Sequence, residues 1–125
     1  MLNNMTISSR TIGDQAELLA IQYLQKHDYE IIETNYVASK WGEVDIIAKK
    51  DGITVFFEVK YRSGDMYGSA IETFTHTKKR RVFFAVKWYC MKHRLSNESV
   101  RVDFIAIQKM QTSYRLTHFR NVEMN

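Results

Sequence analysis

The sequence predicts a mixed α/β fold: a helix, three strands, a second helix and one or two further strands, giving a mixed sheet flanked by helices. Three observations predict it. Residues 11–27 and 75–93 carry apolar side chains at helical spacing. Two apolar-rich runs meet at Asp51-Gly52, a strong hairpin signal. Residues 100–107 alternate like a strand and follow the second helix, which must carry the chain back to the sheet.

The elements follow in order. Residues 1–9 are polar and carry no structural signal, so a flexible N-terminal arm is expected, with residues 10–125 as one domain. In the first helix, Ile12, Ala16, Leu19, Ala20, Tyr23 and Leu24 form the apolar stripe, and Ser8, Ser9 or Thr11 can cap it. Residues 29–35 have the apolar density of a strand. Residues 43–50 and 53–62 form the hairpin, with Val55, Phe57, Val59 and Tyr61 on one face of its second strand. Residues 63–69 read as a loop. The second helix has the stripe Val82, Ala85, Val86, Tyr89 and Cys90, and residues 114–122 suggest a last strand.

Composition narrows the function classes. The 125 residues suit one domain with a real core, and 45% apolar content argues against disorder. A single cysteine, Cys90, excludes an intrachain disulfide framework and a thiolate zinc site, and its place on the helical stripe makes it a small buried hydrophobe. No apolar run is long enough to span a bilayer, and residues 1–5 do not resemble a signal peptide, so a cytoplasmic protein without a membrane partner is expected. The net charge of +4 is modest, but Lys78-Lys79-Arg80-Arg81 concentrates it.

The chemistry gathers at the hairpin. A two-residue turn at Asp51-Gly52 sets Lys50 opposite Ile53 and therefore Asp45 opposite Glu58. Directly opposed carboxylates repel at a Cβ separation of about 5 Å. A divalent cation between them relieves the repulsion. Glu58 and Lys60 share a strand face, so two carboxylates and one amine are presented together. That set suits metal-assisted attack on a phosphodiester, with hard oxygens holding Mg²⁺ or Mn²⁺ and an ammonium steadying charge or orienting a water. The plain alternative is the solvated side of an antiparallel hairpin. In the same register Glu43 faces Lys60, as an ion pair or a positioning group.

Asp45 and, after twelve intervening residues, Glu58-Val59-Lys60 resemble the Asp…(Asp/Glu)-x-Lys signature of the PD-(D/E)xK nuclease superfamily, with Val44 in place of its proline. Gly13-Asp14-Gln15-Ala16-Glu17-Leu18-Leu19-Ala20, Tyr23-Leu24, Gly42 to Ile47, Val55 to Arg62 and Lys78 to Arg81 together resemble the YraN family of small bacterial proteins, similar to Holliday-junction resolvases. The resemblance spans roughly residues 10–107 and departs at Ala16, where the family usually has glycine. It implies a restriction-endonuclease-like αβββαβ core and a metal-dependent endonuclease acting on DNA, with branched or Holliday-junction-like substrates suggested by analogy. It makes Glu17, on pattern alone an ordinary helix glutamate, a third carboxylate reaching the metal or a phosphate. It also leaves room for a homodimer, although no residue points to a dimer surface.

Lys78, Lys79, Arg80 and Arg81 open a helix, where cations oppose the dipole, so they are candidate phosphate contacts together with Arg62. Tyr61 and Tyr67 are candidates for base stacking, Asp103 for a supporting role and His76 for proton transfer, while the other histidines and Trp88 read as ordinary. Two further function classes remain open. One is a non-catalytic nucleic-acid-binding module using the basic face around Lys78–Arg81. The other is an interaction scaffold whose carboxylates only pair with cations.

Overall fold

In the structure, a computed structural model, residues 9–64 and 69–124 are described, with side chains from residue 13 onward. The expected arm at residues 1–9 therefore lies outside the described residues, apart from Ser9, which starts the first helix. Ile12, the capping candidates Ser8, Ser9 and Thr11, and Tyr67 in the 63–69 loop likewise lie outside them as side chains.

The elements are α1 (Ser9–Lys26), β1 (Glu30–Ala38), a 3₁₀ turn (Ser39–Trp41), β2 (Gly42–Lys50), β3 (Ile53–Ser63), α2 (His76–His93), β4 (Val100–Lys109) and β5 (Tyr114–Phe119). This is the expected αβββαβ order with one strand appended. The sheet runs β1-β2-β3-β4-β5; only the β3–β4 pair is parallel, and α2 makes its crossover. β1 runs three residues beyond the expected strand.

The hairpin forms as the turn chemistry requires. Asp51 and Gly52 both adopt positive φ, 54° and 80°, the geometry of a type I′ turn that matches the twist of the flanking strands. Lys50 pairs with Ile53, and the register holds to Ile46 opposite Phe57. β3 is the central strand and is buried on both faces. Phe56 packs with α2 and Phe57 with α1, each fully buried. Burial of one such ring contributes about 1.5–3 kcal/mol.

One helix covers each face. Ala16, Ala20 and Leu24 of α1 pack on Ile46, Phe57 and Ile105. Val82, Ala85, Val86 and Tyr89 of α2 pack on Val44, Ile47, Phe56 and Phe104. Thr75 caps α2, its hydroxyl accepting the Lys78 N–H at 3.3 Å. Cys90 is half-buried beside the α2 core, and burial pushes its thiol up.

Besides a register shift between Ile31 and Glu33 in β1, the alternation of β2 breaks. Val44 and Ile47 lie in the α2 core, whereas Ile46 and Ala48 lie in the α1 core. A regular strand keeps positions two apart on one face. The break falls at Asp45. Across the β1–β2 ladder, Thr34 pairs with Ile46 and Tyr36 with Val44, so Asn35 lies opposite Asp45, with φ of 52°. Asparagine is among the few residues that tolerate this left-handed conformation. Both strands are irregular at the same level, so the register is the same on either side.

Candidate active site

The break at Asp45 is where the chemistry gathers. β2 and β3 pair only as far as Ile46 and Phe57. Beyond that level the Asp45 carboxylate replaces the ladder, Oδ2 accepting the Val59 N–H at 2.8 Å. Glu58, the next residue on β3, hydrogen-bonds the Asp45 carboxyl side chain to side chain. The two half-buried carboxyls are therefore neighbours, as the hairpin register requires, but through their side chains.

The electrostatics are those of a crowded acidic pair. Burial and the Asp45 charge push Glu58 up to about 8, against the partial relief of Lys78. Burial also raises Asp45, while the Val59 N–H and the Glu58 hydrogen bond pull it back down. Two carboxyls this close cannot both ionise freely, so the pair favours sharing a proton.

Two lysines face the pair from different elements. Lys60 lies on the Glu58 face of β3, and Lys78 comes from the first turn of α2. The Lys78 charge, followed by burial, lowers Lys60 from the ordinary lysine range. Lys78 also acts on Asp45 and Glu58. Arg62 flanks Lys60, and its Nε and Nη1 are buried with no hydrogen-bond acceptor among the described residues.

Glu17 lies near Asp45 at the edge of the site. Burial raises it, Asn35 lowers it and the Asp45 charge raises it again. Its Oε1 accepts from Asn35 Nδ2 at 3.0 Å. Among the described residues, no group of three or more His, Cys, Asp or Glu side chains is gathered to hold a metal ion, so Glu17 does not complete a three-carboxylate set in this arrangement. Asn35 was missed in the sequence. Its only signal there is that asparagine accepts positive φ, and nothing local demanded that conformation.

The basic run divides. Lys78 faces the carboxylates, and Lys79 Nζ lies 5.8 Å from the Phe74 ring centre. Arg80 is exposed on α2. Arg81 Nη2 pairs with Glu43 Oε1 at 3.0 Å. This corrects the expectation that Glu43 faces Lys60: the β2–β3 ladder has ended before that level, and an α2 cation takes the carboxylate instead. His76 is exposed at the start of α2, and Tyr61 packs against the α1 core.

Asp103 belongs elsewhere. It is fully buried on the α1 face and accepts from Arg101 Nε at 3.0 Å and the Asn121 N–H at 2.9 Å, with His118 Nε2 at 2.7 Å. Tyr23 Oη lies 2.8 Å from His118 Nδ1, and Arg101 Nη2 donates to Tyr29 Oη at 2.9 Å. This network ties β4, β5 and α1 together. It gives His118 a definite bracing role where the sequence suggested an ordinary histidine.

Among the described residues, no helix is long and apolar enough to cross a membrane. Comparison with known proteins identifies the family. UPF0102 proteins of Carboxydothermus hydrogenoformans and Vibrio parahaemolyticus are 36% and 41% identical to this chain, over 93% and 80% of it and 98% and 83% of their own lengths. A UPF0102 protein of Clostridium perfringens is 40% identical over 79% of this chain and 80% of its own. A crystal structure of a protein of unknown function covers 78% of this chain and 48% of its own, at 20% identity and TM-score 0.43. The model of the uncharacterised protein family UPF0102 matches residues 16–107, from α1 through β4 and thus across both carboxyls and both lysines. The chain belongs to UPF0102, the YraN family that its motifs resemble.

Proposed function

We propose that this protein is a metal-dependent endonuclease that hydrolyses phosphodiester bonds in DNA, with branched substrates such as Holliday junctions as the first to test. The observation that carries the reading is the Asp45–Glu58 pair: two half-buried, mutually hydrogen-bonded carboxyls with a displaced Glu58, under Lys60 and Lys78. A pair held this way in the absence of a cation is strained electrostatically, and strongly perturbed acids beside positioned cations mark functional sites.

The donor set fits a hard divalent cation. Asp45 and Glu58 would hold Mg²⁺ or Mn²⁺, which takes one or two carboxylates and completes its shell with waters and phosphate. When bound, such an ion polarises a phosphoryl oxygen and makes a neighbouring water more acidic. The chain's own residues do the rest. Lys60 and Lys78 supply positive charge where the phosphorane charge develops. Arg62 offers buried donors to a backbone phosphate. Glu17, steadied by Asn35, adds a carboxylate whose charge is felt at Asp45.

The deciding experiment is cleavage of labelled single-stranded, duplex, flap and four-way-junction DNA in Mg²⁺, Mn²⁺ or EDTA, with the Glu58→Gln protein alongside. Metal-dependent cutting that disappears in Glu58→Gln supports the reading. Binding without cutting on every substrate favours the non-catalytic nucleic-acid-binding module instead.

A further inference from the structure

A groove of about 540 Å³ lies between the 3₁₀ turn and α2, lined by Trp41, Thr77, Arg80, Arg81 and Phe84. Its floor is fixed by close packing. A Cβ on Gly42 would lie 2.8 Å from the Arg81 carbonyl oxygen and 2.8 Å from the Phe84 ring, so the 3₁₀ turn carrying Trp41 rides directly on α2. Arg81 fastens the same corner, donating to the Lys40 carbonyl at 3.4 Å and to Glu43 at 3.0 Å. On this rigid base Trp41 is left 61% exposed, far more than an indole needed for packing. The Lys40 ammonium sits 4.9 Å from its ring centre.

We infer that this groove is a subsite for an unpaired nucleobase and its phosphate, the base stacking on Trp41 and the phosphate meeting Arg80 and the Thr77 hydroxyl. The inference rests on the nuclease reading and deepens it: the substrate carries an unpaired strand that leaves the carboxylates along α2. The charged side chains lining the groove are both cations, and Arg80 has no salt-bridge partner among the described residues. A planar base on an exposed indole, next to guanidinium groups, is the arrangement of single-strand binding surfaces. The charge argues against a second copy as occupant, because the chain is itself cationic at +4. Trp41 lies four residues from Asp45, about 13 Å along an extended strand, so one oligonucleotide reaches both.

The chain has two tryptophans, so a Trp88→Phe protein reports Trp41 alone. That protein is titrated in EDTA with oligothymidylate and with a hairpin duplex, following its fluorescence. The expected result is quenching by oligothymidylate, and in the wild-type background a roughly ten-fold or greater loss of single-strand affinity in Trp41→Ala, with Trp41→Phe retaining most of it. Duplex affinity should change less than two-fold. Arg80→Ala should reduce the salt slope of single-strand binding by about one. Unchanged fluorescence, equal losses on both substrates, or an effect of Trp41→Ala confined to the oligomeric state in size-exclusion chromatography overturns the subsite. Because binding is read without metal or turnover, failure of the wild-type protein to cut these substrates counts against the nuclease reading alone.

Discussion

The Asp45 carboxylate accepts the Val59 N–H at 2.8 Å where the β2–β3 ladder stops, and in the same place shares a hydrogen bond with Glu58. One side chain thus closes the sheet and builds the acidic pair. An asparagine there keeps an acceptor for Val59 and removes a charge from beside Glu58. Asp45→Asn should therefore raise the melting midpoint in EDTA by a few degrees, in line with about 1 kcal/mol for a domain of this size. The wild-type protein should gain stability in millimolar Mg²⁺ or Mn²⁺, and the variant should not. Thermal melts of both proteins with and without metal check this; a variant that gains as much from metal as wild type would remove Asp45 as a ligand.

Glu58 predicts the direction of a pH effect. Its carboxyl ionises near 8 in the fold and near 4.5 when unfolded. Between those values the folded state binds more protons than the unfolded state, so this group's contribution to stability falls as pH rises, then levels off above about 8. Glu58→Gln should flatten that decline and stabilise the metal-free protein at pH 8 by up to a few kcal/mol. Urea unfolding at pH 5, 7 and 8.5 reads both slopes. Metal affinity should move the opposite way in the wild type, strengthening as the shared proton is lost.

Lys78 lowers both Lys60 and Glu58. Its removal in Lys78→Met should let both titrate at higher pH, because Lys60 loses a like charge and Glu58 loses an opposite one. Carboxyl and lysine NMR titrations of the variant test this, and an unmoved Glu58 would mean that the two do not face one another in solution. If the cleavage reading holds, Lys60→Met and Lys78→Met should each lower the rate by roughly 10²- to 10³-fold, the scale of losing a preorganised electrostatic contact.

Removing the carboxylate charge at Asp103 should act in the direction opposite to its removal at Asp45. Burial by itself would raise this carboxyl, but His118, Arg101 and the Asn121 N–H together hold it below the usual range. Its stabilising contribution is present at neutral pH and lost as pH falls through its folded value. Asp103→Ala strands a mostly buried Arg101 and should cost about 3–5 kcal/mol. Denaturant unfolding of the Asp45→Asn and Asp103→Ala proteins side by side should give opposite signs, separating a carboxylate held against its partners from one held by them.

Much of the candidate site was legible because it lies within one hairpin. Asp51-Gly52 sets the turn, the turn sets the register, and the register puts Asp45 level with Glu58. The Glu43–Lys60 pairing failed for a reason that the register cannot carry: once strands diverge, opposition in sequence no longer means contact. The basic run was visible as a cluster, but its division among Glu58, Phe74 and Glu43 depends on how α2 turns over the sheet.

The sequence by itself determined the α/β order, the two helical stripes, the hairpin register and the Asp45–Glu58–Lys60 grouping, since these rest on periodicity and turn chemistry over short spans. Only the tertiary structure decided that Lys78 joins them, that Asn35 holds Glu17, that Arg81 claims Glu43 and that Trp41 stands over a cationic groove. Each of those depends on elements distant in sequence being packed together, and neither local propensity nor charge spacing encodes the relative placement of a helix and a sheet.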